Sequence, residues 1–146
     1  MLRTCSQCGA TNRIAPRNLA DRGRCGRCKA ELAPLDAPHA VPDAASFDEL
    51  IAGAKVPVLV DFWAAWCGPC RFVAPEVERA AKALAGRAIV LKVDTEKLPA
   101  LAQRYRVSGI PNFIVFRDGA IAFQQAGAVR ADQLVQYVER ARAAAA

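Results

Sequence analysis

Six cysteines stand in three Cys-x-x-Cys pairs, at positions 5/8, 25/28 and 67/70. Sulfurs at that spacing do one of two things: they chelate a metal through a tight turn, or they cycle between dithiol and disulfide. Their surroundings separate the two cases. Cys5-Ser6-Gln7-Cys8-Gly9 and Cys25-Gly26-Arg27-Cys28-Lys29 are matched knuckles with sixteen residues between Cys8 and Cys25. That spacing fits a four-thiolate zinc site, closed and structural, with no open coordination position. Two disulfides, or a zinc-thiolate redox switch, are the alternatives the spacing leaves open. The third pair follows an apolar run, Val56 to Trp66, broken only by Asp61, and a helical pattern begins directly after it.

Strand, two-cysteine turn, helix is an arrangement that gives the cysteines different roles. A helix starting near Cys67 surrounds that sulfur with unpaired backbone N–H groups that favour the thiolate. Cys70 falls in the first turn on the same face and can reach it. Pro69 suits a first turn, where its missing N–H costs nothing, and Gly68 leaves room for another backbone. Cys67 is therefore expected to attack and Cys70 to resolve. Asp61, inside a strand that reads as buried on both faces, is expected to have a raised pKa. It then suits a proton acceptor for Cys70, acting through water; a structural hydrogen bond is the plainer role.

The elements around these residues follow from local signals. Ser46-Phe47-Asp48-Glu49 reads as a capping box opening a short helix. After Cys70, residues Phe72, Val73, Val77, Ala80, Ala81 and Leu84 recur at helical spacing, with Pro75 inside the helix. Trp63 is expected in the core and Trp66 partly exposed beside Cys67. Ala88–Asp94 reads as a second strand, interrupted by Lys92; an ammonium there would oppose the rise at Asp61 if the strands are neighbours, or simply reach solvent. A helix over about 98–105 precedes Ile110-Pro111-Asn112. A hairpin turns at Asp118-Gly119, and a last helix spans about 131–143 with Leu134, Tyr137 and Val138 inward.

Composition bounds the rest. At 146 residues, 53% hydrophobic and 23% charged, the chain suits one ordinary domain plus a small module. The expected divisions are a zinc ribbon at 1–35, a linker at 36–42 holding the lone His39, and an α/β domain at 43–146. Ala10 to Arg24 is too polar and short for a core, so metal is expected to fold the ribbon. Residues 1–35 carry seven Arg or Lys against two acids, but no aromatic on which bases could stack, so no nucleic-acid surface is expected. No apolar run is long enough for a membrane span, and Met1-Leu2-Arg3-Thr4 lacks a secretory h-region. A cytoplasmic monomer is the expectation.

Asp61-Phe62-Trp63-Ala64-Ala65-Trp66-Cys67-Gly68-Pro69-Cys70, with the distant Ile110-Pro111, resembles the active-site segment of the thioredoxin family. With the four amino-terminal cysteines it is similar to the thioredoxin-2 type. The resemblance implies a mixed sheet flanked by helices and protein-disulfide reduction by Cys67 and Cys70, with Asp61 and Lys92 assisting. It also implies a cis-proline at Pro111 and client binding by the backbone of Ile110 and the rim of Trp66, Gly68, Pro69 and Gly127. Zinc on Cys5, Cys8, Cys25 and Cys28, disulfide-containing client proteins and an NADPH-dependent thioredoxin reductase complete the expectation. Asn112 departs from the threonine common at that position.

Overall fold

The computed structural model describes residues 1–144. Two short antiparallel hairpins come first: β1 (Leu2–Thr4) with β2 (Thr11–Arg13), and β3 (Gly23–Arg24) with β4 (Glu31–Leu32). A five-stranded mixed sheet follows, ordered β5 (His39–Ala40), β7 (Ile89–Asp94), β6 (Val58–Trp63), β8 (Asn112–Arg117), β9 (Ala120–Ala126). The first three run parallel, β8 runs antiparallel to β6, and β9 antiparallel to β8. Helices α1 (Ala44–Gly53) and α3 (Pro99–Arg104) cover one face; α2 (Gly68–Ala83) and α4 (Ala131–Ala144) cover the other.

The central strand is apolar throughout because both its faces are covered. Val58, Val60 and Phe62 join the α1/α3 core with Phe47, Leu50 and Leu101, while Leu59 meets Val73, Val77, Leu134 and Val138 on the other side. The alternation of strand side chains therefore puts Asp61 on the face roofed by α2. In β7, Val90 sorts to that face, and Lys92, two residues on, goes with it.

Four local expectations change. Helix α1 is capped by Asp43, whose carboxylate accepts from Ser46 N at 2.7 Å, so Ser46 sits inside the first turn instead of at the cap. The stripe of α2 that faces inward is Cys70, Val73, Val77, Ala80 and Ala81; Phe72 is 79% exposed. Trp63 is half-buried at the end of β6, not enclosed in the core. Residues 36–42, expected as a linker, contribute β5, which adds an edge to the sheet beside β7, and His39 there is half-buried. Burial lowers the His39 pKa, because the charged ring loses water.

The ribbon does not stand apart. Leu19, from the segment expected to be too polar for a core, is fully buried in the α1/α3 core, with Met1 and Ile14 packed at its border. Its carbonyl accepts from Leu35 N at 2.9 Å, and Lys55 pairs with Asp21 at 2.7 Å. Gly53 is bare where Pro16 passes: an added Cβ would lie 2.9 Å from the proline ring. Leu19→Ala should accordingly cost about 3 kcal/mol of whole-protein stability in urea unfolding, the scale for a fully buried leucine. A variant that unfolds at the wild-type midpoint would show that the ribbon contributes nothing to the main core.

Candidate functional site

The site forms where β6 ends. Thr95 N and Oγ1 both donate to the Trp63 carbonyl, at 2.9 and 3.1 Å, fixing the strand end against β7. The chain then turns through Ala64–Trp66, held by Cys67 N to Ala64 O and by the Arg71 guanidinium on Ala65 O. Cys67 is the N-cap of α2: its Sγ accepts from Cys70 N at 3.1 Å, so one of the helix's unsatisfied donors points at this sulfur. Cys67 and Cys70 are disulfide-bonded, with Cα atoms 5.2 Å apart. Both are nearly covered, at 3% and 4% exposure, in a cluster with Ala64, Trp63 and Ile110.

The second wall is the loop before β8. The Ile110–Pro111 peptide is cis, and the Ile110 carbonyl lies 3.7 Å from Cys67 Sγ. Gly127 N donates to Pro111 O at 2.8 Å, bringing the β9–α4 loop alongside. Gly68 and Gly127 have no atom within 4 Å of where a Cβ would sit, so the rim is open there, and Gly127 has φ +103°. Trp66 is 68% exposed and donates its indole N–H to Glu96 at 2.8 Å. Buried Asn112 accepts from Gln124 at 3.3 Å; that amide also donates to Tyr105 O, tying β9 to the loop that carries Pro111.

Beneath α2, Asp61 is 2% exposed and its Oδ1 has no hydrogen-bond partner. Desolvation pushes its pKa up to about 7, against the smaller opposing effect of the Lys92 charge. Lys92 is paired in register with Asp61 across β6 and β7, and its Nζ lies 4.7 Å over the Trp63 ring. The ammonium is thus held over an aromatic face, a placement worth about 1 kcal/mol at partly exposed sites. A carboxyl that is half-protonated at neutral pH and lacks a partner is equipped to accept and return a proton.

A second cluster lies in the ribbon. The sulfurs of Cys5, Cys8, Cys25 and Cys28 lie within 4.8 Å of one another, with Cys5–Cys28 and Cys8–Cys25 both at 3.7 Å. A regular tetrahedron with Zn–S bonds of about 2.3 Å has edges of about 3.8 Å, so the four sulfurs fit such an ion. Gly9 and Lys29 occupy equivalent left-handed positions after each knuckle, at φ +76° and +64°. Arg27 N and the Asn12 amide donate to Cys25 Sγ at 3.4 and 3.5 Å. The Cys25 thiol is drawn down to about 6, chiefly by the Cys28 backbone N–H and then by Asn12. Such groups stabilise a thiolate for metal binding. Asn12 was not singled out in the sequence; an amide thirteen residues from its sulfur partner leaves no local pattern.

The family model described as Thioredoxin matches residues 38–140, and the one described as Thioredoxin 2, N-terminal, matches residues 4–30. The chain is 43% identical over 96 residues to Thioredoxin Y, chloroplastic, of Oryza sativa subsp. japonica; this is 66% of the chain but only 57% of that relative's length. Thioredoxin C-3 of Corynebacterium nephridii is 34% identical over 140 residues, covering 96% of this chain and 94% of its own. Among solved structures, a mutant thioredoxin from Halobacterium salinarum superposes with a TM-score of 0.68 at 34% identity, over 75% of this chain and 94% of that one.

Proposed function

The chain belongs to the thioredoxin family, and from that premise we propose that it is a protein-disulfide reductase with a metal-stabilised ribbon. The observation that carries the reading is the position of Cys67 Sγ, at the helix N-cap with a backbone N–H aimed at it and an open rim beside it. In the reduced protein the Cys67 thiolate attacks one sulfur of a client disulfide. A Cys67–client bond forms, the client S–S bond breaks, and the departing client thiolate takes up a proton. Asp61 then accepts the Cys70 proton, through water. The Cys70 thiolate attacks Cys67 Sγ, the Cys67–client bond breaks, and the second client sulfur takes up the proton returned by Asp61 and leaves as a thiol. The client gains two electrons and two protons; the protein ends with the Cys67–Cys70 disulfide.

An NADPH-dependent thioredoxin reductase reopens that disulfide in this scheme. Client proteins bind by backbone pairing at Ile110 and Pro111 and by contact with Trp66, Gly68, Pro69 and Gly127. Lys92 modulates the proton acceptor. The four ribbon cysteines hold one zinc ion, whose role is structural: it supplies folding energy to a segment with little core of its own. The protein acts as a monomer in the cytoplasm; among the described residues no helix is long and apolar enough to cross a membrane.

The test is a titration of the zinc-loaded protein in defined thiol–disulfide buffers, following Cys67–Cys70 oxidation and zinc release together. A midpoint below about −250 mV with zinc retained is expected. A strongly oxidising midpoint would overturn the reductase reading. Zinc leaving in the same range would replace the structural ribbon by a redox switch.

A further inference from the structure

Apolar side chains gathered along a surface groove mark a place for a partner's side chain. Phe72 is 79% exposed one turn beyond Pro69 on α2. It forms one wall of a groove of about 490 Å³, with Pro75 and Arg79 on the same helix and Ala128, Val129 and Arg130 opposite. The opposite wall follows directly in the chain on Gly127, whose N–H bonds Pro111 O beside the site. The two walls are tied together where Glu76 Oε1 accepts from Ala131 N at 3.2 Å.

The charge of the groove is one-sided. Glu76 is already committed, accepting from Ala131 N and pairing with Arg79. Arg130 is held by its backbone alone: its N–H donates to Gln133 Oε1 at 3.2 Å, its carbonyl accepts from Gln133 N and Leu134 N, and its guanidinium makes no hydrogen bond or ion pair among the described residues. An apolar floor ending at an uncommitted guanidinium suits a carboxylate side chain at the end of an apolar one.

We propose that this groove is a client-selecting subsite, taking an apolar residue against Phe72 and Val129 and an acidic residue against Arg130. The proposal rests on the disulfide-reductase reading above. Spacing follows from geometry. Phe72 is five residues along α2 from Cys67, or about 7–8 Å of helix axis, and Glu76 beside Arg130 is nine, or about 13–14 Å. An extended client chain advances about 3.3 Å per residue. The apolar side chain therefore lies about two residues from the client cysteine and the acidic one about four, so both project from the same face of the extended client.

The test uses disulfide-bridged peptide dimers with Leu two residues and Glu four residues from the cysteine, made in both chain directions. Comparators carry Ala for Leu or Lys for Glu, and hydroxyethyl disulfide serves as a substrate too small to reach the groove. For one chain direction, the wild type should reduce the Leu/Glu peptide with kcat/KM about tenfold above the Lys comparator. Arg130→Glu should reverse that preference. Phe72→Ala should abolish the preference for Leu over Ala. Both variants should reduce hydroxyethyl disulfide at the wild-type rate. Equal rates on all peptides, with normal turnover of the small disulfide, would overturn the subsite and leave the reductase standing. Absence of turnover on the small disulfide would remove both.

Discussion

Cys67→Ser should give a protein with no measurable disulfide turnover, and Cys70→Ser one that stops halfway, covalently bound to its client. Exposure does not assign the two sulfurs, since they are covered almost equally. The assignment comes from position. Cys67 caps α2 and accepts an N–H bond, so negative charge on its sulfur is stabilised by the helix end; Cys70 lies within the first turn against Ala64 and supplies that N–H. A hydroxyl in place of the Cys67 thiol is not ionised near neutral pH and cannot open a disulfide, whereas a hydroxyl at 70 leaves the first attack intact and removes the second. Non-reducing electrophoresis with a disulfide-bonded client, followed by mass measurement of the adduct, separates the cases. An adduct that accumulates on Cys67→Ser and not on Cys70→Ser would exchange the roles.

Asp61→Asn should stabilise the oxidised protein by about 4 kcal/mol above pH 7 while slowing resolution of the mixed disulfide. The carboxyl titrates near 7 in the folded protein, against an ordinary value of 3.8, because it has lost its water. Between those values the unfolded chain releases a proton that the native protein keeps. Native stability therefore falls as pH rises from about 4 to about 7 and then levels off. Three units at about 1.36 kcal/mol each set the size of the loss. An amide of the same shape does not pay it, so the variant's advantage should be absent near pH 3.5 and full at pH 8. Urea unfolding at these two pH values measures the difference. An equal gain at both would show that packing, not charge, is responsible. The kinetic half of the prediction separates a proton carrier from a buried accident: decay of the mixed disulfide should slow in the variant and lose its pH dependence near 7.

Asp61 was legible in the sequence because it is the one charge in an apolar run of eleven residues, and the neighbouring strand announced itself the same way through Lys92. The four ribbon cysteines stood out in the sequence by spacing alone, and their sulfurs gather into one cluster. What escaped was set by tertiary contact. Phe72 and Val73 share a helical pattern, yet a stripe anchored on Cys70 and Val73 leaves residue 72 about 100° away from Val73, toward water. Leu19 is one apolar residue in a polar stretch, and nothing local says that a second domain has a place for it. The β5 strand is two residues long between Pro38 and Pro42, below the length at which alternation carries a signal. At α1, two capping solutions compete within three residues, and Asp43 directly after Pro42 wins over Ser46.

The four-cysteine cluster also bears on how the chain reaches its correct covalent state. Six free cysteines can be joined in fifteen ways, of which one leaves Cys67 bonded to Cys70 with the other pairs as they stand in the sequence. A metal ion held by Cys5, Cys8, Cys25 and Cys28 would withdraw these four sulfurs from that contest, and the cluster they form is separate from the one holding Cys67, Cys70 and Ile110. Only one intramolecular pairing then remains. A chain that repeatedly accepts oxidising equivalents can thus return to the same disulfide on every cycle, with no shuffled isomers to repair.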